Sequence, residues 1–241
     1  MNTDYKNLNN TYYENLDENF NQAIKLFETD ISHPDLINLL KTGNILQKQI
    51  AVLKINTVIN TEDAEIIVKN LIGQDGKIRE AVSLKLLELI PQYSDLFKAE
   101  IIYDIFLEAI IDVNPNICRN LIETIKYFKK DKNFINYFIP KFVNKTNEYI
   151  EKIKKIDFQE GKYKINKEVF KLYWCLENIY ELTDYIEMET IKSIIKETMN
   201  INEYTIREKS AKILSKNFED TECTKMQSIL KQDSNYYVRR F

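Results

Sequence analysis

The sequence predicts an all-α protein, built as an α-solenoid of about five to six stacked helix pairs, and three observations carry that expectation. One phrase recurs along the chain: "DGKIREAVSLKLLELI" (75–90), "NPNICRNLIETIKYF" (114–128), "NEYTIREKSAKILSKNF" (202–218) and the final "DSNYYVRRF" (233–241). Each copy has a polar turn, a β-branched or small residue, an Arg and then an apolar run at helical spacing. Only four Gly and four Pro occur in 241 residues, which disfavours sandwich and Gly-rich nucleotide-binding classes. Finally, 44% apolar and 29% charged residues fit an ordered chain able to bury a large core.

The repeat sets the element order. Aligning the position before the recurring Arg gives Leu46, Ile78, Cys118, Ile206 and Val238, at steps of 32, 40, 88 and 32 residues. The long step takes one more unit if Ile165 opens its second helix. Six pairs follow, the fourth enlarged by an insertion near 150–164 and the last incomplete. First helices are expected in "HPDLINLLKTGN", with Ser32 as N-cap and Pro34 in the first turn, and in "EDAEIIVKNLIGQDG", closed by Gly73 and Gly76. "KAEIIYDIFLEAIIDVNP", "NFINYFIPKFVNKTNEYIEKI" and "METIKSIIKETMNIN" supply the next three. Pro91, Pro115 and Pro140 suit helix starts, stops or a kink. Residues 1–31 read as a polar, acidic capping segment ahead of an array over 32–241.

The phrases "DGKIREA" (75–81), "PNICRNL" (115–121), "YTIREKSA" (204–211) and "NYYVRR" (235–240) resemble the HEAT-repeat family, across roughly residues 32–241. The first copy, "ILQKQIA" (45–51), has Gln47 where the others have Arg. The resemblance implies a right-handed superhelix in which an acidic or Asn side chain of each inter-helix turn faces the Arg opening the second helix. Carried over here, this ladder pairs Asp75 with Arg79 and Asp233 or Asn235 with Arg239. Arg119 and Arg207 take the same inter-repeat role beside Asn114, Asn116 and Glu203. One pair cannot bury its own apolar face, so neighbours stack and share a core.

Several function classes are disfavoured. The only histidine, His33, precedes Pro34 at a helix start, where capping or exposure is the expected role, and no GxSxG elbow or phosphate-cradling Gly-rich loop occurs. No catalytic residue, metal or cofactor is therefore assigned. Cys118, Cys175 and Cys223 are odd in number and far apart, as expected of reduced thiols in a cytoplasmic protein. The first twenty residues lack the basic head and apolar core of a signal peptide, and no membrane partner is expected.

The fourth unit is the most informative. Ile165, Val169, Leu172, Leu176 and Ile179 form one apolar stripe, and Trp174 points nearly opposite it, beside Phe170, Lys167 and Glu181. The only tryptophan either packs against an adjacent unit or serves as an aromatic anchor on the surface. Residues 126–171 hold thirteen lysines against six acids, the one segment able to attract an anionic partner. The expected function is non-catalytic capture of a protein or peptide on a concave surface, through Trp174, Phe170, Tyr173 and Tyr163 with Lys162, Lys164 and Lys167 around them. The alternative is a nucleic-acid binder or enzyme similar to the HEAT-like alkylpurine DNA glycosylases. That reading needs the lysines, Trp174 and a carboxylate such as Glu177 on one face, and the Trp-Trp-Asp cluster associated with those enzymes is absent.

Overall fold

The computed structural model of the chain describes residues 20–21, 24–156, 162–216 and 218–241, with side chains from Lys167 onward in the helix that begins at Lys162. Residues 1–19 of the expected cap lie outside the described residues. Among the described residues the chain is helical, with no strand. The helices fall in pairs: α1 (His33–Thr42) and α2 (Ile45–Lys54), α3 (Thr61–Lys69) and α4 (Gly76–Tyr93), α5 (Glu100–Ala109) and α6 (Pro115–Ile125). They continue as α7 (Lys132–Lys154) and α8 (Lys162–Leu182), α9 (Met188–Thr198) and α10 (Tyr204–Leu214), α11 (Thr221–Leu230) and the short α12 (Tyr236–Arg239). No helix among the described residues is long and apolar enough to cross a membrane.

Every repeat position chosen by alignment falls in the first turn of a second helix. Ile78, Cys118, Ile206 and Val238 are all buried, at 1% exposure or less, because the turn they open faces the helix layer beneath. The turns are built from short polar caps. Asn44, Asn60, Asp75, Asn114, Asp131, Asp220 and Asn235 each accept a backbone N–H of the helix they precede, as does Ser32 ahead of α1. Two assignments change. Gly73, at φ +65°, ends the α3 turn, whereas Gly76 opens α4 instead of closing α3. The fourth pair owes its size to helix as well as linker: α7 has 23 residues and α8 has 21, against 11 in each of α9 and α10.

The chain divides into two compact units, residues 1–102 and 103–241. In the first, α1 packs on α2 and α3, and α2 packs on α4. His33 on α1 bonds Asp63 on α3 through Nε2 at 2.8 Å, so the sole histidine pins two first helices together. In the second unit, α8 packs on α6, α7 and α10, α10 on α12, and α9 on α7 and α11. Within each unit, therefore, first helices meet first helices and second meet second.

The second unit's core is aromatic. Phe134, Phe138 and Phe142 stand four residues apart along α7 with rings stacked at 4.6 and 5.7 Å, and Tyr103 meets Phe134 edge-on at 5.0 Å. Pro140 lies inside α7 without ending it, because this packed stripe outweighs the one helical donor the ring removes.

Candidate functional site

Helix α8 has neighbours on three sides, and that decides where Trp174 goes. Leu172, Leu176 and Ile179 are fully buried along the stripe expected from the sequence, and Cys175, outside that stripe, is buried with them. Tyr173, Glu177 and Tyr180 meet lysines of α10: Lys209 lies 4.4 Å from the Tyr173 ring centroid, and Lys212 lies 4.5 Å from that of Tyr180. Trp174 turns the other way, toward α6, where the Arg119 guanidinium lies 5.9 Å from its ring. Phe170 and Tyr173 meet the indole edge-on at 5.9 and 5.2 Å. Trp174 is consequently 5% exposed, so of its two expected placements it takes the one packed against a neighbouring helix. A helix flanked by layer neighbours buries most of its circumference, whatever one apolar stripe suggests.

Trp174 nevertheless lines a pocket of about 500 Å³, open to solvent, together with Pro115 and Arg119 of α6, Val169, Phe170 and Tyr173 of α8, and Glu203 and Thr205 at the start of α10. Three expected site residues, Trp174, Phe170 and Tyr173, are thus brought together. Lys167 is exposed on α8, three residues before Phe170. The side chains of Lys162, Tyr163 and Lys164 lie outside the described residues. The indole Nε1 is buried without a hydrogen-bond partner among the described residues.

Arg119 belongs here as much as to the turn. Its Nη1 donates to Asn116 Oδ1 at 3.1 Å, one turn back, and the guanidinium then lies over the indole at the pocket. Sequence reasoning placed Arg119 in the inter-repeat ladder and did not find Pro115, Glu203 or Thr205. The signal was the repeat alignment itself. Stacked second helices set their first turns side by side, which brings Arg119, next to Cys118, near Thr205, next to Ile206.

The ladder follows the expectation at Arg119, which meets Asn116, and departs from it elsewhere. Asp75 caps α4 by accepting from Lys77 N at 2.8 Å, while Arg79 Nη1 donates to the carbonyl of Gln74 at 2.7 Å. Arg239 Nη1 likewise donates to the turn carbonyls of Asp233 and Ser234. Asp233 pairs instead with Arg207 of the preceding helix pair, through Nε at 2.7 Å and Nη2 at 3.2 Å. In the first unit, Gln47 closes a capping box with Asn44, and Lys48 reaches Gln74 in the next turn at 3.2 Å. At Arg207 and at Lys48 the contact thus runs from one pair to the next turn, whereas Arg119 and Arg239 bond within their own turns.

The excess of lysine over 126–171 does not form a field of one sign. Lys126 and Lys129 pair with Glu181, Lys141 with Asp104, Lys145 with Glu108, Lys154 with Glu151 and Glu197, and Lys171 with Glu168. Glu177 lies between Lys209 at 2.5 Å and Lys212 at 2.6 Å. Burial alone would raise its pKa, but the hydrogen bonds and charges of the two lysines outweigh it and hold the carboxyl below the usual range. A carboxylate so clamped is a weak base.

Among the described residues, no group of three or more His, Cys, Asp or Glu side chains is arranged to hold a metal ion. Neither protein-family models nor curated proteins give a match to this chain.

Proposed function

We propose that the helix pairs form a HEAT-like α-solenoid, and that the chain works as a non-catalytic scaffold holding a segment of a protein partner against its second helices. The packing of first helices on first and second on second within each unit supports the architecture. One observation carries the function: an open, aromatic-walled pocket on α6, α8 and α10 with a guanidinium at its edge. Buried apolar anchors ringed by polar groups are the usual energetic centre of a protein-binding surface. The nucleic-acid reading is weaker, because many of the lysines that would contact phosphates already face carboxylates of neighbouring helices.

Site-specific photo-crosslinking tests this reading. A photoreactive phenylalanine analogue replaces Phe170, or, as control, the exposed Ile229 on α11, in cells of the organism that makes the chain. A discrete protein adduct is expected from position 170 and not from position 229. Nuclease-sensitive adducts, or identical patterns from both positions, would overturn it.

A further inference from the structure

The charge around the pocket specifies what kind of segment fits it. Pro115, Val169, Phe170, Tyr173 and Trp174 supply apolar wall, enough for one large apolar side chain. One cation stands in the lining, Arg119, exposed and in no ion pair among the described residues; Lys167, also exposed, lies on α8 three residues before Phe170. The one carboxylate of the lining, Glu203, is occupied: its Oε1 accepts from Thr205 N at 3.4 Å and Thr205 Oγ1 at 3.2 Å, capping α10. Other cations nearby are spent. Lys171 faces Glu168, Lys209 and Lys212 clamp Glu177, and Arg207 is paired with Asp233. Arg119 is thus the cation of the lining that meets no carboxylate within ion-pair distance among the described residues, while Glu203, on the α10 side, is turned to its cap.

We infer that the pocket reads a short acidic–apolar motif in an extended segment of a partner protein: one aromatic or large aliphatic side chain inserted against Trp174, with an Asp or Glu beside it held by Arg119. The guanidinium is prepared for this. Asn116 holds one Nη, the indole ring lies 5.9 Å from the guanidinium carbon, and the other donors remain for a carboxylate in the fork geometry that Arg favours. The pocket is an open groove and not a closed cavity, which suits a chain passing across it. This inference rests on the scaffold reading above and adds the chemistry of the partner.

The test is selection of a phage-displayed random dodecapeptide library on the full chain, in parallel with Arg119→Glu. Arg119 is exposed, so the variant should fold, and its thermal unfolding is checked against wild type. Wild type should enrich peptides with an aromatic or aliphatic residue within two positions of Asp or Glu. These peptides, made synthetically, should change Trp174 emission and bind Arg119→Glu at least about tenfold more weakly, as expected for losing a charged hydrogen bond. The variant should itself enrich Lys or Arg beside the apolar residue. Peptides without acidic bias, or the same preference in both proteins, would overturn the inference, as would no enrichment at all. A protein adduct from position 170 in any of those cases would leave the broader scaffold reading standing.

Discussion

Arg207 and Asp233 make a two-pronged ion pair across successive helix pairs, with Nε–Oδ2 at 2.7 Å and Nη2–Oδ1 at 3.2 Å. The same guanidinium donates Nη1 to the carbonyls of Ile201 and Asn202, so one side chain ties its own turn to the next. Hydrogen bonding from Arg207 holds the Asp233 carboxyl below its usual range, against the opposing effect of burial. Asp233→Asn should therefore cost about 1.5–3 kcal/mol, the range for bonds to charged groups. Urea denaturation of both single variants and the double variant with Arg207→Gln would measure the coupling. Additive losses would mean the pair is decoration. Amide exchange should rise first in α11 and α12, the elements that this rung holds.

Glu177 gives the chain an acid-sensitive joint between α8 and α10. Its folded pKa lies below the unfolded value of about 4.3, so its contribution is present above that pH and is lost as pH falls through the folded value. Lys209 shifts upward, with the pull of Glu177 exceeding the cost of burial, so its contribution fails only at the alkaline end. Glu177→Gln leaves Lys209, at 8% side-chain exposure, without its counter-charge and should destabilise by roughly 3 kcal/mol near neutrality. Stability curves of the two proteins should begin to converge as pH falls below the unfolded value of about 4.3 and meet only below the folded one. A constant gap down to pH 2 would show that packing, not charge, was lost.

Helix pairing was legible because its signals are local. Ser32, Asn44, Asp75, Asn114 and Asn235 sit next to the helices they cap, and the buried positions Ile78, Cys118, Ile206 and Val238 follow at fixed offsets. What stayed hidden depends on partners far away in sequence. Lys141 and Asp104 are 37 residues apart, and Lys212 and Glu177 are 35 apart, so a count of lysines in one segment could not reveal that their charges are met. The placement of Trp174 stayed open for a related reason. A helical wheel records one apolar stripe, while the second stripe exists only once α6 lies alongside.

The burial of Trp174 makes it a poor probe of binding by deletion and a good one by emission. Removing a side chain that is 5% exposed should cost about 3–5 kcal/mol, so lost binding in Trp174→Ala would report loosening of the fold. Native emission should be blue-shifted and weakly quenched by acrylamide, moving to the solvent-exposed value on unfolding. Phe170→Ala, at a half-buried position, should leave the unfolding midpoint nearer wild type while increasing acrylamide access to the indole. Strong quenching in the native wild type would contradict the packing of Phe170 and Tyr173 over the ring.

The three thiols should be silent until the helices open. Burial pushes the Cys175 thiol up to about 12, and burial with the nearby Asp112 charge raises that of Cys118 further. Cys223 is also raised by burial and by Asp220, but it lies in α11, next to the four-residue α12, where fewer elements must separate to expose it. Only the thiolate attacks a disulfide reagent, so at pH 8 both low ionisation and low access slow the reaction. Labelling of the native chain with a chromogenic disulfide should proceed at Cys223 first, with Cys118 and Cys175 following only at the rate of global unfolding. Peptide mapping at successive times separates the three. Prompt labelling of Cys118 or Cys175 would mean that the α6–α8 layer opens on its own, and the pocket built on that layer would then lack a rigid wall.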